Sequence, residues 1–258
     1  MTTVVTHSSH LAVRNLRILY RQPVYLAFTL VQPMVWLLLF SQLFERVVEL
    51  PGFGDGSYVA YLAPGVIVMT AMMNAGWAGT GLVDDMDRGV MDRYLASPVR
   101  RVAIVNGILA YQAAVTVVQS LIVFGVALAM GARYEAGAVG IVVVLAAAVL
   151  LAVIFAALSC AAALLMRTQD ALIGIFQFLA FPLLFLSSTL MAPALLPDWI
   201  GSVAEFNPVD WAVVASREAL LSSPDWGLVG GRVALLAALA MVMTWLSARA
   251  FRAYQRSV

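Results

Sequence analysis

Eight of the eighteen residues from Asp84 to Arg101 are charged, in a chain where charged residues make up only 11%. Asp84, Asp85, Asp87 and Asp92 share this segment with Arg88, Arg93, Arg100 and Arg101, and Ser97-Pro98 precedes the last two. Carboxylates and guanidinium groups crowded into one gap between apolar stretches suit recognition of another polypeptide, where charge pairs fix register. They do not resemble a catalytic set. Neither paired carboxylates nor a nucleophile beside a base can be picked out anywhere in the sequence. The hydroxyl cluster Ser187-Ser188-Thr189 has no base within a turn, so helix–helix hydrogen bonding is its expected role.

What is missing narrows the chemistry further. All fifteen cationic side chains are arginine. Without a lysine the chain cannot carry a G-x-x-x-x-G-K-[ST] phosphate loop, and no G-x-G-x-x-G replaces it. His7 and His10 are the only histidines and precede the first apolar run, which excludes a histidine metal site or proton relay inside the membrane. No Asp or Glu falls in the middle of an apolar run, so the titrating group that an ion-coupled carrier needs is missing. Gln32, Gln42, Asn74, Gln112, Gln119 and Gln177 are the uncharged polar groups in or near the runs, and packing against protein is the first expectation for each. Cys160 lies in an apolar run and reads as a small buried hydrophobe.

The elements that hold these groups follow from composition. The chain has 258 residues and is 63% hydrophobic, outside the range of a water-soluble domain of this length. An apolar helix crosses the hydrocarbon core in roughly 20 residues. Six spans are predicted, at about 23–44, 58–83, 102–131, 138–166, 171–191 and 228–249, the last lengthened if Arg232 snorkels to the headgroups. The expected fold is therefore an all-α integral membrane protein, a single transmembrane domain over 1–258. No small-x-small cleavage site closely follows the first run, which is expected to remain as an anchor. An even number of spans puts both termini on one side. Eleven arginines lie at the N-terminus, in 84–101, at Arg167 and in the C-terminal tail, against four in the alternate gaps, which makes both termini and 84–101 cytoplasmic. A net charge of +1 argues against nucleic acid as a partner.

Two further segments stand out. His10, Arg14, Arg17 and Arg21 form one stripe of a helix over 10–21, opposite Ala12, Leu16 and Leu19, and this helix is expected to lie in the cytoplasmic interface of the bilayer. Residues 192–225 carry Pro193, Pro197, Asn207-Pro208 and Pro224, with Trp199, Trp211 and Trp226 suited to an outer interface. Between the prolines are two segments of about ten residues, too short to cross, which read as re-entrant helices before the last span.

The order of these features is similar to that of the permease subunits of type-2 ATP-binding-cassette exporters, in particular the daunorubicin-resistance-like drug exporter branch. The resemblance rests on six spans, the basic in-plane helix, Phe206-Asn207-Pro208 with Arg217 nine residues on, and the inner pattern Asp87, Gly89, Asp92, Leu95, Ser97, Pro98 and Arg101. Asp stands here where Glu is more usual, and Ile108 follows Gly107 where a lysine is common. The resemblance implies a plasma-membrane homodimer paired with two copies of a separate ATP-binding subunit, which would hold ATP and Mg, leaving no cofactor and no enzymatic activity on this chain. It makes 84–101 the coupling segment, with Asp87, Gly89, Asp92, Arg93, Ser97, Pro98 and Arg101 as contacts. Arg14, Arg17 and Arg21 would touch the ATPase and lipid. Asn207, Pro208, Arg217 and Glu218 would belong to an outer gate, Arg217 either pairing with Glu218 or anchoring at the interface. The implied function is export of a drug-like or lipid-like compound. An ion-coupled secondary transporter and a non-transporting scaffold remain the alternatives.

Overall fold

A computed structural model describes residues 23–44, 57–91, 102–134, 137–190 and 197–255. Every regular element among them is a helix: α1 (Pro23–Leu43), α2 (Tyr58–Gly76), α3 (Thr80–Asp87), α4 (Val102–Ala129), α5 (Gly137–Met166), α6 (Gln169–Phe185), α7 (Asp198–Ala204), α8 (Pro208–Glu218) and α9 (Trp226–Tyr254). The in-plane helix expected over 10–21 and most of the charged segment, from 92 to 101, lie outside the described residues.

Local chemistry sets the helix ends. The Ser57 hydroxyl caps α2 by accepting from the Ala60 amide at 3.3 Å, and the Asp225 carboxylate caps α9 by accepting from Gly227 and Leu228 at 2.9 and 3.1 Å. After α4, Gly131 takes a φ of +92° while the Ala132 amide bonds the Ala127 carbonyl at 3.0 Å, a closure that needs the left-handed glycine. A tight turn joins α5 to α6. Arg167 makes it with a φ of +58°, and its guanidinium lies 4.9 Å from the centre of the Tyr254 ring.

Among the described residues four stretches are long and apolar enough to cross a membrane, namely Tyr58–Asp87, Ile104–Ala129, Gly137–Met166 and Trp226–Tyr254, while Thr29–Leu43 and Gln169–Phe185 are shorter apolar helices. This is a multi-pass membrane protein. Its boundaries differ from the sequence reading at three places. The last helix is longer at both ends, running from the Asp225 cap to Tyr254, and Arg232 within it is half-buried and donates to the Glu205 carbonyl at 3.3 Å. The fifth stops at Phe185 rather than 191, three residues past Pro182, and Ser187-Ser188-Thr189 leaves the helix altogether. The second is not continuous.

α5 is the mast of the bundle, in contact with α2, α3, α4, α6, α8 and α9. Ala147, Ala148, Ala152, Ala156, Ala157, Cys160 and Ala163 are completely buried along it, and small side chains are what let neighbouring backbones come close without a hydrophobic drive in lipid. The outward faces are apolar: Val31, Val35, Leu39 and Leu43 on α1, and Met241, Val242 and Trp245 on α9, are exposed. Such faces suit contact with lipid tails.

The second span breaks at Trp77–Gly79, between α2 and α3. Ser159 of α5 inserts into the gap, its hydroxyl accepting from the Gly79 amide at 3.0 Å and donating to the Gly76 carbonyl at 2.5 Å. One side chain thus satisfies a donor and an acceptor that the helix ladder has released. Both glycines are required by close approach. A Cβ on Gly79 would stand 2.4 Å from the Ser159 carbonyl oxygen, and one on Gly76 would meet the Phe176 ring at 2.0 Å. Replacing Ser159 by Ala is expected to cost about 1–3 kcal/mol by leaving both backbone groups unpaired. Gly79→Ala should cost more, because backbone must move to admit the methyl. Thermal unfolding in detergent checks this, and a melting temperature unchanged in both variants would mean the bridge contributes nothing.

Candidate functional site

Two polar constellations are built on this frame, one at each end of the second span. At the end where α2 begins, the chain leaves α6 at Phe185 and runs through Leu186–Leu190 without regular structure. That segment needs partners for its amides and carbonyls, and α8 supplies most of them. Asn207 caps α8, its side-chain oxygen accepting from the Val209 amide at 2.9 Å, and Pro208 in the first turn has no amide to satisfy. The same Asn207 amide group donates to the Leu183 and Leu186 carbonyls at 2.6 and 2.9 Å, tying the break before α8 to the end of α6. One turn on, Asp210 accepts from the Ser188 amide at 2.8 Å and from its hydroxyl at 2.6 Å.

Arg217 completes the knot from the last turn of α8. Its guanidinium donates to the Tyr61 carbonyl at 3.1 Å, the Tyr61 hydroxyl at 2.7 Å, the Ser188 carbonyl at 2.5 Å and the Thr189 carbonyl at 2.7 Å. It also lies 3.6 Å from the centre of the Tyr61 ring. The planar fork is what allows one cation to serve four acceptors at fixed angles. Gly65 permits this approach, since a Cβ there would stand 2.5 Å from the Thr189 oxygen. Tyr58 adds a bond from its hydroxyl to the Leu190 carbonyl at 3.2 Å. Glu218 points to a different task, accepting from the Asp225 amide at 3.0 Å, so the pairing of Arg217 with Glu218 gives way to a clamp on backbone. The arrangement holds an irregular strand of backbone against α2. It has the chemistry of a latch and not of a catalyst, and among the described residues no group of His, Cys, Asp or Glu could hold a metal ion.

At the other end, α3 carries the start of the charged segment. Leu82, Val83 and Met91 are buried, which fixes the segment to the bundle and leaves Asp87 and Arg88 exposed. Gly89 follows with a φ of +64°, a turn that an L side chain resists. Asp84 accepts from the Gln169 side chain at 2.5 Å, joining α3 to the first turn of α6. Of the contact residues expected from the sequence, Asp87 and Gly89 are brought together here. Asp92, Arg93, Ser97, Pro98 and Arg101, like Arg14, Arg17 and Arg21, lie outside the described residues.

Sequence reasoning missed Ser159, Gly76, Gly79, Tyr61 and Asp210. Asp210 had a readable signal, standing three residues after the Asn207 cap on the same face of a short helix. Ser159 had little, as one hydroxyl in an alanine-rich run.

Residues 7–221 match the family described as ABC-2 type transporter. The chain is 28% identical over 236 residues to the daunorubicin resistance ABC transporter permease protein DrrB1 of Streptomyces coeruleorubidus, covering 89% of this chain and 80% of that one. It is 26% identical over 204 residues to a protein described as the transport permease ycf38 of Pyropia yezoensis, covering 77% of this chain and 68% of that one. A ycf38 of Cyanophora paradoxa is 27% identical over 201 residues, covering 77% and 69% of the two chains.

The latch makes a graded prediction. Arg217→Ala strands the Tyr61, Ser188 and Thr189 carbonyls, with an expected loss of about 1–3 kcal/mol for each carbonyl left without a donor. Arg217→Lys keeps the charge but cannot span four acceptors and should fall between that and Tyr61→Phe, which removes one hydroxyl for about 1 kcal/mol. Thermal unfolding in detergent that ranks the three in any other order would refute the clamp.

Proposed function

The chain belongs to the ABC-2 type transporter family, and from that premise we propose that it is the membrane permease of an ATP-driven exporter of a hydrophobic or amphipathic compound, drug-like or lipid-like. The observation that carries this reading is the family match over residues 7–221 in a chain that has no lysine for a phosphate loop. Family membership implies work with an ATP-binding subunit, and ATP with its Mg belongs on that partner because this chain's side chains do not fit a nucleotide site. In the proposed complex two copies of this chain pair with two copies of the ATPase in the plasma membrane. Each copy spans the membrane six times with both termini in the cytoplasm, and α7 and α8 form a re-entrant outer cap. The name of the relative DrrB1 makes daunorubicin the first cargo to try.

The proposed cycle runs from the inner charged segment outward. Residues 84–101 sit in a groove of the ATPase, with Asp87, Asp92, Arg93 and Arg101 as the charge contacts, Gly89 making the turn between them, and Ser97-Pro98 closing the segment. Arg14, Arg17 and Arg21 give a second contact with the ATPase and lipid. Closure of the nucleotide sites displaces α3 as a unit, since the break at Trp77–Gly79 separates it from α2. The Ser159 bridge and the Asp84–Gln169 bond give that displacement a path into α5 and α6. α5 touches α8, so the path reaches the outer cap held by Asn207, Pro208 and Arg217.

Joint charge reversal, Asp92→Arg with Arg93→Asp, is expected to abolish ATP-dependent daunorubicin uptake into inverted vesicles by at least tenfold while the chain folds and inserts normally. Uptake that survives the reversal would sink the coupling assignment. Uptake that survives ATP depletion but collapses with the proton gradient would sink the exporter reading in favour of an ion-driven carrier.

A further inference from the structure

The middle of α4 turns an uncharged polar stripe toward α2. Gln112, Thr116, Gln119 and Ser120 are spaced four, three and one apart, which puts them on one helix face. Their exposures are 5%, 1%, 2% and 3%, whereas Val118, Leu121 and Ile122 on the opposite face are exposed. α2 answers with Thr70 and Asn74. The Asn74 side chain donates to the Gln119 oxygen at 2.8 Å, and the Thr70 hydroxyl is engaged by its own helix at the Val66 carbonyl, 2.7 Å away. Between the helices runs a crevice lined by Thr70, Thr116, Gln119 and Ser120, with Ile67 and Val123 as its apolar walls.

This seam is incompletely bonded. The Thr116 hydroxyl and the Gln112 side-chain nitrogen are buried without a hydrogen-bond partner. Packing alone does not account for them, because buried polar groups in a bundle are ordinarily paired. The crevice beside Thr116 has no room for a water molecule, so a trapped water does not account for that hydroxyl. Among the described residues Tyr134, Ser216 and Ser247 also bury a hydroxyl without a partner, but at positions scattered through the sequence, whereas Gln112 and Thr116 stand one turn apart on one helix face.

We infer that the α2–α4 seam is a recognition site that opens during the transport cycle and takes an oxygen-bearing group, a hydroxyl or carbonyl, of an amphipathic cargo. Thr116 donates to that oxygen, with Gln112 one turn away on the same helix face, while Ile67, Ala71 and Val123 receive the apolar body beside it. The inference rests on the exporter reading of the preceding section. It adds the position of the site within one copy of the chain and the chemistry that the site reads.

The test uses the full complex with its ATPase in liposomes, in a Cys160→Ala background, with labelling read on this chain after gel separation, where each introduced thiol is unique. Thr116→Cys in the seam and Val118→Cys on the outward face are exposed to a membrane-impermeant cationic methanethiosulfonate, nucleotide-free and vanadate-trapped. The expected result is that Thr116→Cys reacts at least tenfold faster than Val118→Cys in one of the two states and that saturating daunorubicin slows it at least fivefold. Thr116→Val should raise the KM for ATP-dependent daunorubicin uptake at least fivefold with kcat and melting temperature unchanged. Equal labelling of the two thiols in both states, labelling that daunorubicin leaves unslowed, or an unchanged KM overturns the site. Failure of the exporter reading is seen separately, as absence of ATP-dependent uptake by the Cys160→Ala complex itself.

Discussion

A backbone amide or carbonyl that leaves a helix inside an apolar bundle has no water to turn to, and each one left unpaired costs several kcal/mol. The described chain leaves its helices inside the bundle at Trp77–Gly79 and at Leu186–Leu190, and in both places side chains from elsewhere in the sequence complete the bonding. At the first break a single serine hydroxyl serves one amide and one carbonyl. At the second, Asn207, Asp210, Arg217 and Tyr58 divide the work. The connection between α7 and α8 follows the same rule, with the Glu205 carbonyl accepting from the Trp211 indole at 2.6 Å and from Arg232 at 3.3 Å. The irregular segments are therefore the places where distant parts of the chain are bound together.

α5 makes those bindings communicate. Its buried face is so rich in alanine that α2 and α9 pack against it closely, and a rigid, tightly packed element passes displacement on instead of absorbing it. Ser159 roots one break directly in α5, while α8 carries the other and rests on the same helix. In the proposed cycle a push on the charged inner segment arrives at α3, crosses to α5 and α6, and ends at the cap.

What could be read in the sequence was what depends on local chemistry. The all-helical class, the apolar runs and the short helices between the prolines of 192–225 are each set by residues within a few positions of one another. The interruption of the second span was hidden because the apolar run continues through Leu82 and Val83, and hydropathy does not register a missing hydrogen bond. Its cause, Ser159, stands 80 residues from Gly79 in sequence. Arg217 could be singled out as an isolated cation, but not its role, since Tyr61 is 156 residues away and Ser188 and Thr189 offer carbonyls that any residue type would offer. Expecting Arg217 to pair with Glu218 applied a surface rule to a buried group. In a dry setting the nearer carboxylate matters less than a set of carbonyls arranged to fit the fork.

The distribution of bonding separates the parts that must hold from the parts that can move. Arg217 has four acceptors, and a transition that separated it from Tyr61 and the Ser188 and Thr189 carbonyls would break all of them with a charge left behind, so α8 and α2 move as one body at that end. The α2–α4 seam has the opposite character. The Asn74–Gln119 hydrogen bond joins the two helices there, while the Thr116 hydroxyl and the Gln112 nitrogen have no partner, so the inferred opening would expose donors that water or a polar ligand would satisfy. In the proposed cycle α2 is clamped at one end and broken at the other, and the inferred opening lies between the two. Motion entering through α3 would therefore be expressed as separation of α2 from α4 before it disturbed the cap.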